Sequence, residues 1–98
     1  MSTPSPRIAS VQTVGPTELL VSFVSGEWRR YDISPLLERS TFWPLRNPAL
    51  FRNVRVDAGG YGILWNQDID LSEHEIWTHG IPTIAPSSAG FLEAAEER

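Results

Sequence analysis

The residues best suited to chemistry crowd into one run, DIDLSEHEIWTH, from Asp68 to His79. His74, Glu75 and His79 read H-E-x-x-x-H, one residue longer than the zinc-hydrolase spacing, in which histidines at i and i+4 share a helical face. At i and i+5 the rings stand about 140° apart around a helix and do not readily meet at one ion. Asp68-x-Asp70-x-Ser72 matches the opening of a calcium loop. Glu73, however, occupies the position of the turning glycine, and His79 that of the closing glutamate. Two carboxylates at i and i+2 on extended chain point to opposite faces, which defeats paired acid–base work. Asp70 is expected instead to hydrogen-bond locally on the way into a cap at Ser72. Gly59-Gly60-Tyr61-Gly62 lacks the helix that must follow a phosphate cradle, and reads as a hairpin turn with positive φ. No G-x-S-x-G places a nucleophile. The absence of cysteine excludes a thiol nucleophile, a thiolate zinc site and a disulfide framework. The expectation is no enzyme, no cofactor and no metal. An enzymatic reading survives only if a cleft gathers Asp57, Asp68, Asp70 and His74.

The elements that position these residues follow from period and punctuation. A length of 98 residues holds one core, and 41% hydrophobic with 20% charged residues is ordinary for an ordered domain. Residues 1–7, with two prolines in MSTPSPR, read as a flexible tail. Residues 8–14 and 19–24 are strand candidates, and Ser25-Gly26 returns the chain into a third strand over 27–31. Asp32-Ile33-Ser34-Pro35 changes the period and opens a short helix ending near Ser40. Phe42, Trp43 and Leu45 form an apolar knot before a second cap-and-proline start at Asn47-Pro48. Residues 54–56 and 61–65 make a second hairpin around the glycines. Ser72 and Glu75 form an S-x-x-E capping box, in which the glutamate reaches back to the cap N–H. Ile76 and Trp77 give that helix its buried side, and Gly80 with Pro82 stops it. These assignments predict a small two-layer α+β domain over 8–80, with a mostly antiparallel sheet of about five strands in two hairpins and short helices. Residues 81–98 read as a C-terminal tail that allows a short helix from Phe91. MSTPSPRIAS has no leader pattern, and no run approaches the ~18 apolar residues of a membrane span. A cytoplasmic protein without membrane contact is expected.

Several of these residues form an ordered pattern. Phe23-x-x-Gly26-Glu27-x-Arg29-x-Tyr31-Asp32 is followed by Pro35-Leu36-Leu37, Phe42-x-x-Leu45 and Phe51-x-x-Val54-x-Val56-Asp57. Ile63-x-Trp65, Asp70-Leu71 and Gly80 complete it. The pattern resembles domain-of-unknown-function family 2442, which is related to the N-terminal domain of a small bacterial helix-turn-helix regulator. The resemblance covers residues 7–80 and implies a small α+β fold with a mostly antiparallel sheet. It also implies relatives fused to a DNA-binding helix-turn-helix, and others paired with a small protein in toxin–antitoxin fashion. It carries no catalytic residues. This chain departs from it at Asn66-Gln67-Asp68-Ile69, where a glycine is usual, and has only 18 residues after Gly80, too few for a helix-turn-helix.

Binding rather than catalysis is therefore the leading expectation. The net charge of −4 is unevenly spread. Residues 1–56 hold seven arginines against four acids, and residues 57–98 hold one arginine against eight. Such a split can orient a partner, or vanish when folding mixes the halves. Trp65 and Trp77 are expected in the core with Leu64, Ile69 and Ile76. Trp28, Arg29, Arg30, Trp43, Arg46, Arg52 and Arg55 are the candidate interaction surface, because tryptophan and arginine anchor interfaces. The plain alternative is a tryptophan that covers a small core with one edge wet. The expected partner is a small protein, in an antitoxin-like or regulatory role, or a second copy. Nucleic acid on an arginine face is the alternative, disfavoured by the acidic balance.

Overall fold

The computed structural model describes residues 5–85. The chain runs β1 (Ile8–Val14), β2 (Glu18–Phe23), β3 (Trp28–Asp32), then two 3-10 turns, Ser34–Glu38 and Trp43–Arg46. It continues through α1 (Pro48–Phe51), β4 (Arg55–Val56), β5 (Gly62–Asn66), β6 (Ile69–Ser72), α2 (Glu73–His79) and β7 (Ile81–Thr83). The strands form two antiparallel sheets, ordered β1-β2-β3-β7 and β4-β5-β6. The α+β class holds. The strand total does not: among the described residues, seven strands in two sheets replace about five. The additional strands are β6, expected only as a local run into the Ser72 cap, and β7, which lies past Gly80. The first four residues of the expected tail and the short helix from Phe91 lie outside the described residues.

Alternation explains the first sheet. Leu19 faces Tyr31 and Val21 faces Arg29 on one side of β2–β3, while Leu20 faces Arg30 and Ser22 faces Trp28 on the other. Leu19, Val21, Phe23 and Tyr31 enter the core, which they share with Ile63, Trp65 and Leu71 of the second sheet and with Ile33, Leu45, Phe51 and Ile76. One cluster therefore unites both sheets and the helical turns. Burying each large side chain of this kind stabilises the fold by about 1.5–3 kcal/mol. Trp65 is its largest member; its Nε1 donates to the Phe51 carbonyl at 2.9 Å, and its ring stacks on Phe51 with centroids 6.3 Å apart. That bond satisfies a carbonyl at the end of α1, which its own helix cannot. At the other end of α1, Asn47 Oδ1 accepts from the Ala49 N–H at 3.0 Å, the cap expected from Asn47-Pro48.

Two glycines are fixed by geometry. Gly60 has φ +77°, and a Cβ there would stand 2.9 Å from the Ile8 carbonyl oxygen. This tight approach lets the Gly60 carbonyl accept from the Ile8 N–H at 2.8 Å, tying the β4–β5 turn to the first sheet. Gly80 ends α2 at φ −76°, so it is no left-handed cap. It is small because a Cβ would lie 2.5 Å from the Ile76 carbonyl oxygen and 3.0 Å from Arg29 Cβ. The chain then passes close beneath β3 and pairs with it as β7.

Candidate interaction surface

The 3-10 turn Trp43–Arg46 carries a proline, Pro44, at its second position and is pinned by Leu45, which is 2% exposed. A turn of three residues per repeat cannot bury neighbours together. Leu45 therefore enters the core and Phe42 packs against it, while Trp43 points outward at 57% exposure. The expected apolar knot is thus corrected: two of its members pack and the tryptophan does not. The Arg46 guanidinium lies 4.1 Å from the Trp43 ring centroid and donates to the Leu37 carbonyl at 3.3 Å. The indole is thereby covered on one side by a cation and left open on the other. Arg52 follows α1 and is exposed; Arg55 is exposed on β4 opposite Leu64, on the outer side of the second sheet. Residues 39–56 contain Arg39, Arg46, Arg52 and Arg55 and no acid. Among the described residues none of these four pairs with a carboxylate.

The remaining candidates lie elsewhere. Trp28 and Arg30 share the outer face of the first sheet, where Arg30 pairs with Glu18 at 3.2 Å. Arg29 faces the opposite way. Its guanidinium sits 3.9 Å from the Trp77 ring centroid, and Trp77 meets Phe23 edge-on at 5.1 Å. Arg29 thus covers a half-buried tryptophan from solvent, with its charge kept at the rim. The structure brings Trp43 and Arg46 together, and Trp28 with Arg30, but does not merge the seven into one patch. Arg39 was absent from the candidates although it opens the acid-free run, which was the available signal.

A second group was not foreseen. The Tyr31 hydroxyl, on β3, donates to Glu75 Oε2 at 2.7 Å, and His79 Nδ1 lies 3.3 Å from Glu75 Oε1. Burial, then the hydrogen bond and charge of Glu75, push the Tyr31 phenol far above its ordinary value. Glu75 is therefore not the reciprocal half of a capping box. Ser72 Oγ does accept from the Glu75 N–H at 3.1 Å, but the carboxylate turns to Tyr31 instead of back to the cap. Asp32, whose Oδ1 accepts from the Ser34 N–H at 2.9 Å, is held below the usual carboxylate value chiefly by that bond.

Of the acids and histidine of the enzymatic reading, Asp57 and Asp70 border one hollow on the second sheet, while Asp68 and His74 are not part of its lining. Asp57 Oδ1 accepts from the Gly59 and Tyr61 N–H groups, both at 3.0 Å, and shapes the hairpin turn. Asp68 is exposed in the β5–β6 turn, and Asp70 stands on the outer side of the second sheet opposite Leu64. Asp70 does not serve the Ser72 cap; Asn66 does the local bonding, its Oδ1 accepting from the Asp68 and Ile69 N–H groups at 2.8 and 3.0 Å. His74 is exposed, with its Nδ1 3.2 Å from Ser5 Oγ, away from the Glu75-bound His79. No set of three or more metal-type ligands gathers among the described residues.

No helix among the described residues is long and apolar enough to cross a membrane. No curated protein and no solved structure matches the chain. A family model does match, over residues 8–82, which is most of the chain and nearly all of the two sheets. By that match the chain belongs to the family described as protein of unknown function (DUF2442).

Proposed function

We propose that this chain is a non-catalytic interaction module of the cytoplasm, which binds an acidic segment of a small partner protein in an antitoxin-like or regulatory role. The observation that carries the reading is Trp43, 57% exposed with Arg46 stacked on one side, inside a run whose four arginines meet no carboxylate among the described residues. A large rigid indole beside forked cations is the composition of an interface hot spot, and carboxylates are the complementary chemistry. The test is a pull-down with the tagged chain from its own host at low and moderate salt, read by mass spectrometry, beside Trp43→Ala. A stoichiometric protein retained at both salts, and weakened ~30-fold or more by Trp43→Ala, is the expected result. Recovery of the chain alone overturns it. The same indole–guanidinium pair can stack a base; nucleic acid recovered only at low salt would move the assignment to that alternative.

A further inference from the structure

Six large apolar side chains are exposed among the described residues, and three of them, Val14, Ile81 and Ile84, border one surface: the outer face of the β1-β2-β3-β7 sheet. At its centre Leu20 is only 5% exposed yet stands outside the core cluster. Val14, Leu20, Thr83 and Ile84, with Glu18 and Arg30, line a hollow of about 260 Å³. A second hollow of about 440 Å³, bounded by Trp28, Thr83 and Ala85, opens beyond Ile84. Ile84, 69% exposed, is therefore a ridge with a hollow on each side.

We propose that a second copy of this chain docks face to face on this sheet across a two-fold axis. A two-fold interface must be complementary to itself, so knob and hole, acid and base, must lie on one patch. Here they do. Ile84 is the knob, and the hollow over Leu20 is the hole. Glu18 and Arg30 pair within one chain at 3.2 Å, with side chains 34% and 53% exposed, so each can exchange its partner for the other copy's. The edge of the sheet is the wrong docking site. Pro82, in the middle of β7, has no N–H to offer a further strand, and a proline there blunts the edge. A face of four short strands buries less than a standard interface, so the dimer is a weak one, with Kd on the order of 10–100 μM.

The experiment is sedimentation velocity on the full chain over a concentration series, with three variants. Wild type moves from monomer to dimer across the series. Ile84→Asp, a change at an exposed position, raises Kd at least ~10-fold. Glu18→Arg and Arg30→Glu each place like charges across the axis and are monomeric alone. Mixed one to one, they restore a dimer, because every Arg then faces a Glu of the other chain. A wild-type chain that stays monomeric throughout overturns the proposal. So does a dimer indifferent to Ile84→Asp, or a pair of charge variants that do not associate on mixing. Trp43→Ala leaves this dimer intact, and Ile84→Asp leaves partner capture intact, so the two surfaces fail or stand separately.

Discussion

Replacing Tyr31 with Phe isolates the bond that joins β3 to α2. The hydroxyl donates to Glu75 Oε2 at 2.7 Å across 44 residues of sequence. A hydrogen bond to a charged acceptor contributes about 1.5–3 kcal/mol, with less where the acceptor can rehydrate once the donor is gone. The Glu75 side chain is 38% exposed, so water replaces the phenol and no orphaned carboxylate is left. The expected cost of Tyr31→Phe at pH 7 is therefore about 1–1.5 kcal/mol, a fall in Tm of about 5 °C for a domain of this size. The pH dependence has a definite sign. The folded-state value of the phenol is raised above its ordinary 10.0, so the unfolded chain ionises first. The stabilisation is whole below pH 10.0 and is lost as pH rises through the folded value. Phe lacks this loss, so the gap between wild type and variant narrows in alkali. Urea titrations at pH 7 and at about pH 11 measure both quantities. The same change in a Glu75→Ala background tests the partner, where the coupling should be about 1 kcal/mol. A cost under about 0.3 kcal/mol, an equal cost without Glu75, or a gap that holds its size in alkali refutes the reasoning.

Other perturbations follow the same logic. Ser72→Ala removes the acceptor for the Glu75 N–H and should cost about 1 kcal/mol by urea denaturation, with little change on Ser72→Asp. Gly60→Ala combines a positive φ with a Cβ 2.9 Å from backbone, and should cost more than about 1 kcal/mol, whereas Ala58→Gly, in the same turn, should cost only a few tenths. Asp32→Asn keeps an acceptor for Ser34 but not the charge. Because the folded Asp32 value is depressed below 3.8, its stabilisation is present above that pH and is lost as pH falls through the folded value. The variant should therefore fall below wild type in Tm at pH 7, and the gap should close as acid protonates Asp32.

The parts of the fold legible in the sequence were those set by local chemistry. Ser25-Gly26, Asn47-Pro48 and Ser72 act through their own backbone, so a turn or cap could be assigned without knowing its neighbours. Ile69–Ser72 was not, because Asp68 and Asp70 dominate a run of only four strand residues, although Ile69 and Leu71 alternate inward as a strand requires. Ile81–Thr83 was hidden by Pro82, which argues against a strand everywhere except at an edge. The surface was less legible still. Which of Phe42, Trp43 and Leu45 turns outward depends on the three-residue repeat of a 3-10 turn, and short apolar runs carry no mark of that repeat. The Tyr31–Glu75 bond joins residues too far apart in the chain for any spacing rule to connect them.

The place of β7 has a consequence for synthesis. Strands one to three can pair as soon as the first hairpins emerge, but β7 reaches β3 only after the second sheet and α2 have been made. During that interval β3 is the sheet's open border, a template for any other unpaired strand in the vicinity. Its sequence, WRRYD, puts two adjacent arginines there, one toward each face, whose charges repel a second nascent copy until the late strand closes the ladder. Arg29 thus has a role before Trp77 of α2 is made to receive it, beside an Arg30 that already meets Glu18 of β2: it guards an assembly line whose last piece arrives last.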